Sequence, residues 1–180
     1  MNKSKYIFLD RDGVINQDSS DYIKTANEWK PIHNSLEAIK NLTEQDFHII
    51  IITNQSGINR NLITPHDFVN INVKMLESID KVGGLITSII FCPSLPTDKC
   101  TNRKPYPGMF YEIAERLDIK LSDCFSIGDS PRDIEASIAA KCKPLGVRTG
   151  NGGDIEKDNK YKVPMFDDLY HAVKFVIAQK

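Results

Sequence analysis

The sequence has no run of about eighteen apolar residues, the length a helix needs to cross a bilayer. Neither sign of charge prevails. Lys and Arg number 23 against 24 Asp and Glu, and the net charge of −1 gives no electrostatic case for nucleic acid or an anionic membrane. Any phosphorylated ligand must be met by local positive charge. The amino terminus, Met1-Asn2-Lys3-Ser4-Lys5, is basic but lacks the apolar stretch and small-residue cleavage site of a signal peptide. Cysteine is sparse: Cys92, Cys100, Cys124 and Cys142, in a chain long enough for its own core, do not require a disulfide framework. A reducing, cytoplasmic location is the expectation. The four histidines, His33, His48, His66 and His171, match no metal-ligand spacing and read as surface or capping residues. Gly150-Asn151-Gly152-Gly153 lacks the Lys-Ser/Thr of a P-loop and reads as a flexible surface turn. With no internal repeat, low-complexity tract or linker, residues 1–180 read as one domain of ordinary composition, 41% hydrophobic and 26% charged.

What is present is a series of short apolar runs: Tyr6–Leu9, His48–Ile52, Leu85–Cys92, Cys124–Ile127 and Leu145–Val147. Most are continuous rather than alternating, as in strands covered on both faces. Helical patterns lie between them. Asn34 is a candidate cap for a helix carrying Leu36, Ile39 and Leu42. Thr64-Pro65 opens a second helix that should end near Gly83-Gly84. Met109, Phe110, Ile113, Ala114 and Leu117 form one apolar stripe; Ser130-Pro131 starts another helix running to about Ala140. A last amphipathic helix, with Leu169, Ala172, Val173, Val176 and Ile177, follows Asp167 or Asp168, after a short strand near Lys162–Met165. The alternation predicts an α/β three-layer sandwich around a mostly parallel sheet, with no room for a separate cap domain. Two stretches, Val14–Ile32 and Pro93–Tyr106, exceed an ordinary loop and are candidate binding elements.

In such a sheet, ligands bind beyond the carboxyl ends of the strands. Four of those ends carry polar groups that suit phosphoryl transfer. Asp10 and Asp12 follow the first strand: one carboxylate to attack phosphorus, the other to move a proton. Thr53-Asn54-Gln55-Ser56-Gly57 follows the second and offers a hydroxyl and main-chain N–H groups to phosphate oxygens. Arg103-Lys104-Pro105 follows the third, with Lys104 as the fixed positive charge. Asp129, after the fourth, completes a carboxylate set for Mg²⁺, which prefers oxygen ligands. Asp133, one turn on, would orient Lys104 or a metal-bound water. Singly, each has an ordinary reading: Asp-x-Asp and Thr-Asn-Gln as turns, Lys104 as a solvated lysine, Asp129 and Asp133 as groups at a helix amino end. The conjunction, in one order along the chain, is what argues for chemistry.

These segments, Asp-Arg-Asp-Gly-Val-Ile-Asn, Thr-Asn-Gln-Ser-Gly-Ile, Arg-Lys-Pro-x-Pro-Gly-Met and Gly-Asp-x-x-x-Asp, resemble the four motifs of the haloacid dehalogenase superfamily of phosphotransferases. Within it they are similar to the heptose bisphosphate phosphatase branch and its relative, the histidinol-phosphate phosphatase domain. The resemblance spans nearly the whole chain. It implies a Mg²⁺-dependent phosphatase working through an aspartyl-phosphate on Asp10. Asp10 and Asp129 would bind Mg²⁺ through side chains and Asp12 through its backbone carbonyl, with a protonated Asp12 serving the leaving oxygen. The implied substrate is a small phosphorylated sugar. For the heptose branch, the 7-phosphate of a 1,7-bisphosphate would be removed, feeding synthesis of surface polysaccharide such as lipopolysaccharide. Hydrolysis of histidinol phosphate, or a catalytically silent binding protein on the same fold, are the other readings. No nucleic-acid or membrane partner is expected, and an open site fits a monomer.

The heptose branch usually carries a zinc loop of the form Cys-x-His, then Cys-x-Cys. Here the pairs read Cys92-Pro93-Ser94 and Cys100-Thr101-Asn102, leaving two thiols, too few for a structural zinc. A Cys92–Cys100 disulfide is disfavoured in a reducing compartment. Arg60 and Arg103 are candidates for a second phosphate, since guanidinium suits multidentate oxyanion contact, and Asn54 for the transferred one. Tyr22 and Trp29 either wall the site or anchor their loop. Asn61, where relatives commonly have glycine, and Pro31-Ile32 depart from the family pattern and bear on which sugar is taken.

Overall fold

The computed structural model describes residues 5–157 and 161–179, so the segment read above for a signal peptide falls almost wholly outside the described residues. The chain runs β1 (Lys5–Leu9), α1 (Ser35–Glu44), β2 (Phe47–Asn54), α2 (Pro65–Asp80), β3 (Ser88–Cys92), α3 (Gly108–Leu117), β4 (Phe125–Gly128), α4 (Pro131–Ala139), β5 (Lys143–Val147), α5 (Gly152–Lys157), β6 (Met165–Phe166) and α6 (Leu169–Ala178). The strands form one sheet in the order β3-β2-β1-β4-β5-β6, and every pairing is parallel.

Alternation along the strands divides the core. Ile7, Leu9, Ile49 and Ile51 face α1, α2 and α6, while Phe8, Ile50 and Ile52 face α3 and α4. Both faces are covered, which is why the strand sequences read as continuous apolar runs. Cys124 and Cys142 are buried in the second of these layers. No insertion among the described residues folds as a cap between the strands.

Several local expectations need correction. Asn34 does stand ahead of α1, but at φ 60 in the left-handed region, and its side chain makes no capping bond. Thr64 is a true cap, accepting from the Asp67 N–H at 3.0 Å. β3 starts three residues later than expected, because Leu85 is 65% exposed and its N–H goes to Thr43 Oγ1 at 3.0 Å. β6 is only Met165–Phe166, shifted from Lys162–Met165. The order of the sheet matters most for function. β1 and β4 are neighbours although β2 and β3 intervene in sequence, so the winding reverses between them and a crevice opens beyond their carboxyl ends.

Candidate active site

Asp10 follows the last residue of β1, and its N–H donates to Ile127 O of β4 at 3.0 Å, which seats it at the crevice. Lys104 Nζ, buried, donates to Asp10 Oδ1 at 2.9 Å and to the β2 carbonyl of Ile52 at 2.9 Å, and pairs with Asp133 Oδ1 at 2.6 Å. Lys104 sits on the long loop between β3 and α3. Its backbone is fixed by Asn54, whose Nδ2 donates to Lys104 O at 3.0 Å and whose Oδ1 accepts from Lys104 N at 3.1 Å. Asn54, a candidate for phosphate, lines the same cleft as Thr53, and its side-chain amide holds the lysine in place. Asp133 caps α4 in a box with Ser130, accepting from the Ser130 N–H at 3.0 Å and from its hydroxyl.

Asp129, at the end of β4, is 1% exposed. Its Oδ2 accepts from the Asn151 N–H at 2.8 Å and from Asn151 Nδ2 at 3.3 Å, whereas its Oδ1 is buried without a partner. The turn at Gly150–Gly153 is therefore not a free surface turn. Gly150 has φ +58, and a Cβ there would lie 2.1 Å from Asp129 Oδ2; Gly13, at φ +82, approaches the same oxygen equally closely. Thr149 Oγ1 donates to Gly13 O at 2.6 Å and binds the two glycine turns together.

Burial raises Asp10 to about 6, with Lys104 only partly offsetting it. Burial, with the charges of Asp133 and Asp10 added, raises Asp129 to about 8. Burial also works against charge on Asp133 and Lys104, but their ion pair outweighs it, holding Asp133 below and Lys104 above their ordinary values. Possible ligand atoms of Asp10, Asp129 and Asp133 lie within 4.8 Å of one another. Three buried acids beside one lysine, with an unpartnered carboxylate oxygen among them, are a donor set that fits a divalent cation. Asp12, expected as a ligand through its backbone carbonyl alone, adds no side-chain atom to this cluster.

The Asp12 carboxylate turns the other way. Oδ1 accepts from Arg11 Nε at 3.0 Å and Asn16 Nδ2 at 2.9 Å; Oδ2 accepts from an Arg11 terminal nitrogen at 2.9 Å and Gln55 Nε2 at 2.8 Å. Burial opposes its charge, but Arg11 and these bonds outweigh it and hold the group below its usual range. The resemblance implies a protonated Asp12 only where the leaving oxygen departs; as the side chain sits here, all four of its lone-pair positions accept hydrogen bonds.

Asp10, Asp12, Thr53, Gln55, Tyr22, Arg103 and Arg132 are among the residues lining a cleft of about 290 Å³. A larger hollow, about 640 Å³, lies at the amino ends of β1, β2 and β4, remote from the carboxylate cluster, so convergent charge rather than size marks the site. Arg103 donates to Ser94 O at 2.8 Å; burial and the neighbouring Arg132 charge lower it. Arg132, which the sequence reading passed over, is raised: burial is outweighed by Asp133, Asp10 and Asp129. Arg60 is exposed and does not line the cleft, although Arg103 feels its charge. Trp29 is buried in the core and anchors its loop, so only Tyr22 of that pair is a wall. Gln55, Arg11, Asn16 and Asn151 were also missed. The first three lie inside the quoted motifs, where position alone could have flagged them; nothing local marks Asn151.

Residues 5–161 match the family described as polynucleotide kinase 3 phosphatase. D-glycero-beta-D-manno-heptose-1,7-bisphosphate 7-phosphatase of Bordetella bronchiseptica is 44% identical over 148 residues, covering 82% of this chain and 83% of the relative. The Neisseria meningitidis serogroup A enzyme of the same name is 37% identical over 179 residues, covering 97% and 96%. The crystal structure of the B. bronchiseptica D,D-heptose 1.7-bisphosphate phosphatase, complexed with magnesium and phosphate, superposes with a TM-score of 0.95 at 38% identity, covering 98% and 99%. The chain belongs to this heptose-bisphosphate phosphatase family, on the haloacid dehalogenase fold.

In this heptose-bisphosphate phosphatase family member the cysteine loop carries side-chain contacts of its own. The thiols of Cys92 and Cys100 are 3.7 Å apart. Ser94 is hydrogen-bonded to both: it lowers Cys100, while burial raises Cys92. Asn102 Nδ2 donates to Glu112 Oε2 at 3.1 Å and so ties the loop to α3.

Proposed function

We propose that this protein, working as a single catalytic domain and a monomer in the cytoplasm, removes the 7-phosphate of D-glycero-beta-D-manno-heptose 1,7-bisphosphate by way of a phosphorylated Asp10. The observation that carries the reading is the buried bridge of Lys104 between Asp10 and Asp133, beside the half-satisfied Asp129. Relatives at 37–44% identity bear that enzyme name, which supports the choice of substrate. Mg²⁺ is the proposed cation, held by Asp10 and Asp129 side chains with the Asp12 carbonyl; when bound, it supplies charge stabilisation to phosphoryl oxygens.

The protein's own groups do the rest. Lys104 and the Thr53 hydroxyl face the phosphoryl oxygens where charge builds. An Asp10 carboxylate oxygen attacks phosphorus in line, and the bond to the sugar oxygen breaks with its electron pair on that oxygen. A sugar alkoxide is a poor leaving group, so it takes a proton from Asp12, which has given up one of its four donors and taken that proton from solvent, or from the water consumed in the preceding turnover. Asp12, again an anion, then takes a proton from water. The water oxygen attacks phosphorus, the bond to Asp10 breaks and phosphate leaves. Arg103 and Arg132, both lining the cleft, are placed for the distal 1-phosphate, with Arg60 farther out. The product would serve a nucleotide-activated heptose for surface polysaccharide. At Cys92 and Cys100, two thiols with a serine and an engaged asparagine are a poor zinc set, and we assign no zinc there.

The test is phosphate release from the heptose bisphosphate against histidinol phosphate, with and without Mg²⁺. Asp10→Asn should lower turnover by about 10⁴-fold or more, as for other removed nucleophiles. Equal turnover of the two substrates would defeat the assignment of substrate, and an active Asp10→Asn enzyme would defeat the mechanism.

A further inference from the structure

Of the four hydrogen bonds that hold Asp12, three come from Arg11 and Asn16, on the same turn as Asp12 itself. The fourth crosses to another strand end. Gln55 lies one residue beyond β2, is 4% exposed and lines the cleft. Its main-chain N–H donates to Cys92 O of β3 at 2.7 Å, so its peptide is pinned to the sheet. The two hydrogens of Nε2 are then divided: one goes to Asp12 Oδ2 at 2.8 Å, the other to Thr53 Oγ1 at 2.9 Å.

The chemistry of the partners fixes the orientation of this amide. An ionised carboxylate only accepts, so Nε2 and not Oε1 must face Asp12. Thr53, buried at the cleft wall, then has one lone pair occupied by Gln55. A hydroxyl that accepts from one partner keeps its own hydrogen for another. That hydrogen is left for an acceptor in the cleft, where a phosphoryl oxygen would sit. One buried amide thereby sets both the direction of the Thr53 hydroxyl and the place of the proton-handling carboxylate.

We propose that Gln55 is a positioning residue for the phosphatase reaction, locking the Asp12 carboxylate and the Thr53 hydroxyl in register across two strand ends. It rests on the reading that Asp10 and Asp12 act as nucleophile and proton carrier. Without the amide, Asp12 keeps its Arg11 and Asn16 bonds and the fold keeps its core, but the tie between the β1 and β2 turns is lost. The steps that need Asp12 slow most; attack by Asp10 on a substrate whose leaving group needs no proton loses only the aim of the Thr53 hydroxyl and slows far less.

Gln55→Leu removes both bonds, and Gln55→Glu keeps the shape while replacing the donor, so a folding defect in one leaves the other. Each variant is assayed on the heptose bisphosphate and, by rapid mixing, on p-nitrophenyl phosphate, whose leaving group departs unprotonated. On the sugar substrate kcat should fall about 10²-fold, the low end for acid–base catalysis, with KM changed far less. On the aryl substrate the first turnover should slow by less than about tenfold, through Thr53 alone, and be followed by a steady state slowed about 10²-fold. The phosphorylated chain should then accumulate, visible by intact mass. Burst and steady state slowed together, or both unchanged, would overturn the role given to Gln55. Asp10→Asn in parallel separates the two failures: residual turnover there defeats the phosphatase mechanism itself, whereas a dead Asp10→Asn beside Gln55 variants of wild-type behaviour defeats only this inference.

Discussion

At the floor of the cleft, Asp10, Lys104, Asp129 and Asp133 are buried together from three separate stretches of chain, with Lys104 paired to Asp10 and Asp133. At the rim, Arg60 is exposed, Arg103 is tied to a loop carbonyl, and Tyr22 sits at φ 62 on a long loop. The floor is fixed because a buried charge has no alternative partner; removing Lys104 leaves Asp10 and Asp133 uncompensated. The rim is fixed by loop bonds that water could replace. Mutation at the floor should therefore cost stability and chemistry together, and at the rim only binding.

Lys104→Met tests the floor most severely. It leaves Asp10 and Asp133 buried without their cation, for which breaking a buried pair typically costs about 3–5 kcal/mol. Thermal unfolding should shift down accordingly and phosphate release should be lost. Lys104→Arg should not rescue it, since a planar fork cannot replace a point charge that meets two carboxylates and the Ile52 carbonyl. A stable, active Lys104→Met protein would mean that the floor is not an interlocked unit.

The acids give the floor a dependence on pH. Asp10 and Asp129 are raised from 3.8 to about 6 and about 8, so the folded state binds their protons more tightly than the unfolded chain. Their contribution to stability is complete below about pH 4 and is lost as pH rises through 6 and 8. Asp12 and Asp133 are lowered and Lys104 is raised, so they titrate outside that window. In chelator, the melting temperature should fall between pH 5 and 8, and the rise produced by Mg²⁺ should grow over the same range. A Mg²⁺ effect independent of pH would contradict this floor.

How much of this was legible beforehand follows the same division. Asp10, Thr53 and Asp129 stand at strand ends, where a buried apolar run breaks into Asp or Thr, and Lys104 stands ahead of the helix that follows the third strand. Asp10, Thr53, Lys104 and Asp129 could therefore be brought together without coordinates. Orientation was not legible. Nothing in the sequence shows that Asn54 faces the Lys104 backbone, that Asp12 turns toward Arg11, or that Asn151 crosses from β5 to Asp129. The Asn54 and Asn151 contacts depend on groups that arrive from stretches distant in sequence, and the Asp12 one on how its own turn folds. Trp29 stayed open between wall and loop anchor for a related reason: residue type does not place a loop side chain, and its burial settles it as an anchor.

At the rim, Arg103→Ala should raise KM for the bisphosphate about tenfold, by loss of one charged contact, and leave kcat nearly unchanged. Arg60→Ala, outside the cleft lining, should have a smaller effect in the same sense. A monophosphate lacking the distal group should be insensitive to both. The reverse order, Arg60 above Arg103, would mean that the rim closes over the substrate.

The smallest effect is expected at the loop beneath that rim. Cys92 and Cys100 touch at 3.7 Å, but the loop is also held by Asn102 on Glu112, Arg103 on Ser94 and the Gln55 N–H on the Cys92 carbonyl. The last of these is a backbone bond and survives any side-chain change. Cys100→Ser, at a half-buried position, should cost less than about 1 kcal/mol, and Cys92→Ser, which buries a hydroxyl, somewhat more. A zinc-clamped loop would behave otherwise. Loss of a thiolate ligand would release the metal, and a zinc chelator would lower the melting temperature of the wild type. Atomic-emission analysis giving one zinc per chain, or a Cys100→Ser variant as damaged as Lys104→Met, would place this loop with the interlocked floor rather than with the replaceable rim.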